Sequence, residues 1–303
     1  MSRLTERGPA PSGPRPAISV AIPVLNGGVR LGQLVRAVRN QVVGAGPVEL
    51  LLADSGSTDG AIEAIASGAR VFDVDVFDHG LVRTELVRAA RAPLVALFSQ
   101  DAVPVGDRML EALAAPFIEP DVAGATARQV ARPGADALQV AELAAWTPDG
   151  AEPFVIRRLP PGGASLPGPE RMRLARHDHV AAMVRRCHVL EYPFPSRAFG
   201  EDLAWGWTVL TAGRALAYVP SAVVEHSHTP RLRTVFARNR VAHRQARGEF
   251  GVTAVPSPMA GLLALAAGIP ADVAIAGPLT ALRTGLPRRA AALAGQWLGA
   301  REA

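Results

Sequence analysis

Two patterns of apolar and polar positions alternate through the first hundred residues. Short continuous apolar runs, typical of strands buried on both faces, alternate with segments whose apolar residues recur at helical spacing. Strands that alternate with single helices predict βαβ units, so we expect an α/β fold with a mostly parallel central sheet flanked by helices. The predicted strands are 17–24, 48–53, 71–77 and 94–98, and the predicted helices are 31–41, 61–66 and 81–91.

The pattern is looser after residue 100, and two segments allow more than one interpretation. Residues 178–185 fit either a strand or the start of a helix. Residues 147–170 are rich in Pro and Gly, and they form either a loop that covers a substrate or a surface insertion. The other predicted helices are 108–117, 203–212 and 232–250, and the other predicted strands are 122–130, 215–219 and 222–227.

Composition narrows the class of protein. The 303 residues suffice for a large core, and 49% hydrophobic content is ordinary for a soluble globular protein. All basic residues are Arg, the formal net charge is +5, and aromatic residues make up 5% of the chain. Arg suits anionic partners such as diphosphates or lipid headgroups, but no Arg run is interleaved with aromatics, so binding to nucleic acid is disfavoured. The single Cys187 excludes an internal disulfide and fits a reducing compartment.

Two local patterns exclude other classes. Residues 1–16 are rich in Pro, Gly and Arg and lack an apolar core, so we predict a flexible leader rather than a signal peptide. No G-x-G-x-x-G follows the first predicted strand, which disfavours a dinucleotide-binding domain. A P-loop is excluded because it requires Lys.

Acidic residues follow two of the predicted strands and precede one helix. Asp101 comes just after the apolar run 94–98, and Asp54 follows the second strand. Ligands of open α/β sheets bind beyond the carboxyl ends of strands, which places both carboxylates well for chemistry, although Asp also caps helices and forms turns. Glu201 and Asp202 stand at a predicted helix start.

These positions belong to an ordered set of motifs. The set resembles family 2 glycosyltransferases of the GT-A fold, and the Q-D-A form with A-R-Q-V-A-R-P downstream is most similar to bacterial rhamnosyltransferases. The resemblance covers residues 18–246. In order, the motifs are V-A-I-P-V-L-N, L-L-L-A-D-S-G-S-T-D-G, D-H-G-x-x-R, F-S-Q-D-A, G-E-D-L-A-W and H-S-H.

The resemblance implies a domain organisation. A GT-A domain occupies 17–250, with a donor-binding half at 17–130 and an acceptor-binding half at 131–250. Residues 251–303 follow as an apolar helical tail.

The resemblance also implies a pocket for a nucleotide-sugar donor. Asp54 would contact the base or ribose, and Arg83 would reach the diphosphate with its planar donor fork. The family usually has Arg-Asn where this chain has Arg83-Thr84. Residues 54–60 serve equally as a helix-capping turn. The other residues assigned to this pocket are Pro23, Asn26, Ser55, Asp59 and Gln100.

A divalent cation is implied at the end of the central strand. Mg²⁺ or Mn²⁺ prefers oxygen ligands, and because the diphosphate supplies several, one protein carboxylate can suffice. Asp101 takes the place of the second Asp of the family's D-x-D pattern, while Gln100-Asp101-Ala102 lacks the other carboxylate. His226 and His228 lie two apart, on one face of a predicted strand, and are candidate ligands.

Direct displacement at the anomeric carbon needs a general base for the acceptor hydroxyl. By resemblance Asp202 is that base and Glu201 orients it, and a single displacement inverts the sugar. The alternative is a carboxylate that only stabilises a helix N-terminus. Further candidates are Arg128 and Gln129 for the sugar pocket, Asp178 and His179 for the acceptor, and Trp205 and Trp207 for the core or the acceptor wall.

The apolar segment 257–284 is interrupted by Pro270, Asp272 and Pro278, which argues against an uninterrupted membrane-spanning helix. We expect two short amphipathic helices, packed on the domain or lying on the inner face of the cell membrane. The latter suits an enzyme with a lipid-linked acceptor.

The sequence thus predicts a cytoplasmic, bacterial, metal-assisted, inverting glycosyltransferase of cell-wall or polysaccharide biosynthesis, with dTDP-L-rhamnose as the donor that the resemblance suggests. A sugar-1-phosphate nucleotidyltransferase is a weaker alternative because its Gly-rich loop and Lys are absent. A non-catalytic nucleotide-sugar-binding assembly partner is the other alternative, supported by the incomplete D-x-D.

Overall fold

The computed structural model describes residues 4–8, 13–197, 199–229 and 231–303. The chain forms two compact units. The sheet unit comprises Met1–Val130, Thr147–Pro161 and Leu174–His226, and the helical unit comprises Ala131–Trp146, Gly162–Arg173 and Ser227–Ala303. This division differs from the predicted one, because two segments before residue 174 group with the C-terminal part of the chain.

Ten strands, counted over the described residues, form one sheet. They are β1 (Leu4–Glu6), β2 (Ile18–Val24), β3 (Val48–Asp54), β4 (Arg70–Val74), β5 (Leu94–Phe98), β6 (Val103–Pro104), β7 (Val122–Val130), β8 (Val155–Arg158), β9 (Ala181–Arg185) and β10 (Ala215–Glu225). The described helices are α1 (Gly28–Arg39), α2 (Ala61–Ile65), α3 (His79–Ala89), α4 (Met109–Ala114), α5 (Ala137–Trp146), α6 (Gly168–Ala175), α7 (Arg186–Glu191), α8 (Glu201–Thr211), α9 (Leu232–Phe250), α10 (Pro258–Thr280) and α11 (Leu286–Gly299).

The sheet is mixed. Strands β4, β3, β2 and β5 lie side by side and pair in parallel, as their alternation with helices predicts. Strand β9 then enters between β5 and β7 and runs antiparallel to both, while β7 and β10 are again parallel. The order is β1-β4-β3-β2-β5-β9-β7-β10-β6, with β8 paired to β10. The predicted α/β fold with a central sheet flanked by helices is confirmed, but the sheet is mixed rather than mostly parallel, because β1, β6, β8 and β9 pair antiparallel with their neighbours. The ambiguous segment 178–185 contains strand β9.

Hydrophobic burial follows the predicted pattern. In α1 the four buried residues are those at helical spacing, Leu31, Leu34, Val35 and Val38. They join the apolar residues of the central strands in one core cluster. Burial on both faces explains why these strands are continuous apolar runs rather than alternating ones.

Other elements depart from the expectations. Leu4–Glu6, within the predicted leader, forms a strand that pairs antiparallel with β4. The two strands predicted at 215–219 and 222–227 are a single strand, β10, with a register shift between Val219 and Val223. That shift accommodates Pro220, which has no N–H for a regular ladder. The Pro/Gly-rich segment 147–170 contributes β8 to the sheet, so it is not wholly a loop.

The tail contains longer helices than the two short ones predicted within 257–284. Pro270 lies inside α10 without ending it, and the backbone leaves helical geometry at Gly277 (φ 77°) before a π-helical turn, Ala281–Gly285, leads into α11. Among the described residues, one helical stretch, Pro258–Gly299, is long and apolar enough to cross a membrane by length and composition, and 6% of its most apolar 18 residues is buried. Its acidic residue, Asp272, is buried and paired with Arg289.

Candidate active site

The carboxyl ends of β2, β3 and β5 lie next to one another in the sheet unit. Gln100, just after β5, forms two hydrogen bonds with the backbone of Leu25 after β2. Its Oε1 accepts from Leu25 N at 2.8 Å, and its Nε2 donates to Leu25 O at 3.0 Å. The side chain of Gln100 is therefore a fixed link between two strand ends, one of which carries Asp101.

The loops after β2 and β3 are also joined by hydrogen bonds. Asn26 has a left-handed backbone (φ 49°), and its Oδ1 accepts from the N–H of Thr58 at 2.9 Å. Asp59 Oδ2 accepts from the N–H of Gly28 at 2.8 Å. Pro23 lies within β2, opposite Ala53 of β3. The residues assigned to the donor pocket in these two loops thus come together.

Asp54 ends β3 and is buried. Its Oδ1 accepts from the N–H of Ser57 at 2.8 Å, and its Oδ2 accepts from Arg7 Nη2 at 2.8 Å. Burial raises the pKa of Asp54, but the hydrogen bonds from Ser57 and the positive charge of Arg7 outweigh it and hold that pKa below its ordinary value. The hydroxyl of the adjacent Ser55 is buried and has no hydrogen-bond partner within the described part of the chain.

Asp101 lies near His226, which follows β10. His226 Nε2 is 3.6 Å from Asp101 Oδ1, and its Nδ1 is 3.1 Å from Gln129 Oε1. Gln129 Nε2 in turn donates to Asp178 Oδ2 at 2.7 Å. A continuous row of polar side chains therefore leads from Asp101 to Asp178. His228 comes two residues after His226 and lies in the helical unit, where its backbone carbonyl accepts from the side chain of Gln139.

Glu201 and Arg83 form a buried ion pair. Arg83 Nη1 donates to Glu201 Oε1 at 2.8 Å, and both side chains are less than a tenth exposed. His179 Nδ1 lies 3.6 Å from the same carboxylate oxygen. Burial raises the pKa of Glu201, but His179 and the charge of Arg83 outweigh it and hold that pKa well below its usual range. Arg83, predicted to reach a diphosphate, is thus also the partner of Glu201.

Asp202 has the opposite electrostatic environment. Gly200, with φ 75°, turns the chain into α8 and places both carboxylates in the first helical turn. Burial, followed by the negative charges of Glu201 and Asp178, raises the pKa of Asp202 to about 8. Asp202 Oδ1 also accepts from the N–H of Leu203 at 2.7 Å. Two adjacent carboxyl groups with separated pKa values are a pattern of acid–base sites.

Two other residues named from the sequence have partners of their own. Trp205 is fully buried and donates from Nε1 to the carbonyl of Tyr192 at 2.8 Å, so it is a core residue. Arg128 pairs with Asp149. Arg7 is the residue that the sequence did not suggest, because it lies in a segment without apolar periodicity.

Comparison with solved structures shows the fold. A mannosyltransferase, PcManGT, from Pyrobaculum calidifontis in complex with GDP-Man and Mn²⁺ is 15% identical, covers 95% of this chain and 86% of its own, and has a TM-score of 0.64. Glucosyl-3-phosphoglycerate synthase from Mycobacterium tuberculosis in complex with Mn²⁺, UDP-glucose and phosphoglyceric acid is 22% identical over 78% of this chain and 80% of its own, with a TM-score of 0.51. TarS 1–349 from S. aureus in complex with UDP-GlcNAc is 13% identical over 94% of this chain and 90% of its own, with a TM-score of 0.51. These similarities establish a GT-A fold.

The sequence comparisons then place the chain in a family. No curated protein matches the chain significantly in sequence. The sequence model of glycosyl transferase family 2 matches residues 19–178, more than half of the chain. The chain therefore belongs to glycosyl transferase family 2, and the family resemblance inferred from the motifs is confirmed.

Proposed function

We propose that this protein is an inverting, metal-assisted glycosyltransferase that moves a sugar from a nucleotide-diphosphate donor to a hydroxyl of a glycan or lipid-linked acceptor. The observation that carries the proposal is the row of polar contacts from Asp101 through His226 and Gln129 to Asp178, whose charge acts on Asp202. It connects the candidate cation ligand with the candidate base. The solved structures of similar fold that contain GDP-Man, UDP-glucose or UDP-GlcNAc support a nucleotide-sugar donor.

The donor would bind at the joined loops after β2 and β3. Asn26, Asp59 and Gln100 hold the backbone of this edge in place, so the pocket is formed before the donor arrives. Arg83 remains a candidate for the diphosphate. Its Nη1 is held by Glu201, and its Nε is buried with no hydrogen-bond partner within the described residues.

The residues near Asp101 fit a divalent cation. A carboxylate and an imidazole 3.6 Å apart are donors that suit Mn²⁺, and two solved structures of similar fold contain this ion. Asp101 and His226 would hold the ion, and His228 is proposed as a third ligand from its place two residues after His226. When bound, a divalent cation neutralises the charge that develops on the leaving diphosphate.

Asp202 would remove the proton from the acceptor hydroxyl. A carboxylate with a raised pKa is a stronger base than an ordinary one, so the pKa of about 8 favours proton abstraction once the group is ionised. Glu201 stays ionised beside Arg83 and fixes the start of α8, which orients its neighbour. A single displacement by the activated hydroxyl inverts the anomeric carbon.

We propose L-rhamnose from dTDP-L-rhamnose as the first donor to test, on the motif resemblance alone. A panel of dTDP-, UDP- and GDP-sugars with Mn²⁺ or Mg²⁺ tests the proposal through release of the nucleoside diphosphate. The proposal predicts slow, metal-dependent hydrolysis of one donor. A nucleotidyltransferase would instead form a nucleotide sugar and pyrophosphate from a nucleoside triphosphate and a sugar 1-phosphate. A non-catalytic binding protein would bind a donor without turning it over, even with candidate acceptors present.

The proposal also covers the acceptor, the location and the biological role. We propose a lipid-linked acceptor, a cytoplasmic location at the inner membrane face, and a role in cell-wall or polysaccharide synthesis. Supporting them, α10 exposes large apolar side chains, among them Leu262 (60%) and Leu263 (64%). Its acidic Asp272 is turned inward to Arg289, so no exposed carboxylate of this helix opposes anionic lipid. Flotation with phosphatidylglycerol vesicles should carry the wild-type protein and not the L262D/L263D variant. Equal flotation of both would contradict membrane contact through α10.

A further inference from the structure

Arg7 connects the N-terminal strand to the donor pocket. Its Nη2 donates to Asp54 Oδ2 at 2.8 Å, and its Nε donates to Asp73 Oδ1 at 2.9 Å. The carboxylates of Asp54 and Asp73 therefore hold one guanidinium between them. The side chain of Arg7 is nevertheless 40% exposed. A planar group held on two edges is fixed in orientation.

The segment that carries Arg7 is well anchored. Strand β1 pairs with β4 over three residues, and the N–H of Arg7 donates to the carbonyl of Val71 at 2.8 Å. Glu6 accepts two hydrogen bonds from Arg70, at 2.7 and 2.8 Å. Arg70 also donates to the buried Glu49 at 3.1 Å. These contacts fix the backbone of Arg7 at the edge of the sheet.

Asp54 itself offers little surface to a ligand. Its side chain is 4% exposed, and each of its oxygens already accepts a hydrogen bond, one from Ser57 and one from Arg7. Of this pair, the side chain of Arg7 is 40% exposed and that of Asp54 is nearly covered, so the group that a nucleobase at this end of β3 can contact is the guanidinium. Guanidinium groups are planar and weakly hydrated, and they stack on aromatic planes.

We propose that Arg7 is the nucleobase-contacting residue of the donor pocket, stacked on the base and held in place by Asp54 and Asp73. This inference rests on the proposed function, since it assumes that a nucleotide binds at the end of β3. Arg7 precedes residue 19, where the family match begins, so the contact is a feature of this chain that the matched region does not contain. Asp54 then acts through Arg7, as a positioning residue.

Binding of UDP, GDP, dTDP and inorganic pyrophosphate, measured by calorimetry with Mn²⁺ present, tests the inference. Pyrophosphate lacks the nucleoside, so the ratio of nucleotide to pyrophosphate affinity reports the contacts of the base and the ribose, and its change in a variant reports the share of those contacts that Arg7 makes. In Arg7→Ala we expect the preferred nucleotide to bind roughly tenfold more weakly, with pyrophosphate affinity unchanged. Arg7→Lys keeps the charge but loses the planar fork, so it should lose the same base-dependent affinity. Arg88→Ala, which removes an exposed Arg paired with Glu85 on α3, is the matched control and should bind like wild type.

Each other result overturns the inference in a distinguishable way. Nucleotide affinity that is unchanged in Arg7→Ala would show that the base lies elsewhere, with the transferase proposal intact. Tighter nucleotide binding in Arg7→Ala would show that the N-terminal strand covers the pocket and competes with the donor. Nucleotide affinity equal to wild type in Arg7→Lys would show that Arg7 acts only through its positive charge, which holds Asp54, and not by stacking on the base. A wild-type protein that binds no nucleotide at all would remove the proposed function and this inference together.

Discussion

The Arg83 guanidinium and the Glu201 carboxylate lie 2.8 Å apart, although the two residues are 118 positions apart in the sequence. The pair joins α3 to the first turn of α8, where Asp202 stands. Because both side chains are buried, water could not stabilise either charge if its partner were removed. The position of the candidate base therefore depends on an ion pair made by a residue of α3.

Neutralising Glu201 should destabilise the fold strongly. In Glu201→Gln the charge of Arg83 stays buried without its carboxylate, and breaking such a pair costs about 3–5 kcal/mol of unfolding free energy. Chemical denaturation measures the change. Glu111→Gln, which breaks the exposed pair of Glu111 with Arg108, is the matched control and should cost less than about 1 kcal/mol. Equal losses in both variants would show that the Arg83–Glu201 pair is no more important to the fold than a surface pair.

Replacing Asp202 should stabilise the protein in alkaline solution. The pKa of Asp202 is about 8 in the folded chain and about 3.9 in an unfolded one, so the folded state binds the extra proton between these values. The stability contributed by this proton is therefore lost as pH rises towards 8. Asp202→Asn should have a higher Tm than wild type at pH 8 and a similar one at pH 4. A Tm difference that does not depend on pH would contradict the raised pKa.

The raised pKa of Asp202 also sets the pH dependence of turnover. Only the ionised carboxylate can accept the proton of the acceptor hydroxyl, so kcat/KM should rise with pH up to about 8. Initial rates from pH 6 to 9 at fixed ionic strength give the profile. A flat profile over this range would assign the base role to another group.

Asp101 should control metal-dependent nucleotide binding. Asp101→Asn removes a carboxylate charge that lies 3.6 Å from His226, so the affinity for a nucleoside diphosphate should fall when Mn²⁺ is present and change little when it is chelated. Titration with and without EDTA measures both. Asp107→Asn, at an exposed carboxylate in the segment after β6, is the control and should bind like wild type. A loss that persists in EDTA would argue for a structural role of Asp101.

Close packing at one helical glycine gives a prediction for stability alone. A Cβ on Gly206 of α8 would lie 2.0 Å from the carbonyl oxygen of Ala175, so Gly206→Ala should destabilise by about 1–3 kcal/mol. A Cβ on Gly248 of α9 would meet no atom within 4 Å beyond the adjoining backbone of its own helix, so Gly248→Ala should stabilise by about 0.5–1 kcal/mol. Thermal unfolding distinguishes the two signs, and a neutral Gly206→Ala would show that α8 can shift.

The buried histidines should make the fold sensitive to acid. Burial holds the pKa of His177 well below its ordinary value of about 6.5, so the folded state keeps this ring neutral while the unfolded state takes up a proton. Stability should therefore fall as pH drops below about 6.5. His177→Leu cannot take up a proton and should show a weaker loss of Tm between pH 7 and 5. An identical loss in both proteins would place the acid sensitivity elsewhere.

The elements that the sequence predicts well are those whose hydrophobic pattern is local. Strand β7 and helix α9 have the predicted bounds, 122–130 and 232–250, because each is a continuous run with its own periodicity. Strand β1 could not be predicted, because three residues are too few to show a periodic pattern of apolar positions. Its position depends instead on a contact with Arg70, which is distant in the sequence. The continuity of β10 across Pro220 likewise depends on pairing with β7.

Motif order predicts which residues belong to the site, whereas their partners depend on the tertiary structure. The chemistry of a diphosphate suggests Arg83, but the sequence does not reveal that Glu201 binds it. The separation of the Glu201 and Asp202 pKa values has the same origin. Arg83 and His179 lower the pKa of Glu201, whereas burial and the charges of Glu201 and Asp178 raise the pKa of Asp202.

Donor turnover by wild type and Asp202→Asn, with nucleotide affinity measured on the same preparations, tests the central claim most directly. The account predicts that Asp202→Asn loses at least about 100-fold in the rate of sugar transfer while it binds the nucleoside diphosphate with Mn²⁺ as tightly as wild type. Such a split between chemistry and binding is the signature of a general base. Transfer by Asp202→Asn at the wild-type rate would contradict the claim that this carboxylate activates the acceptor.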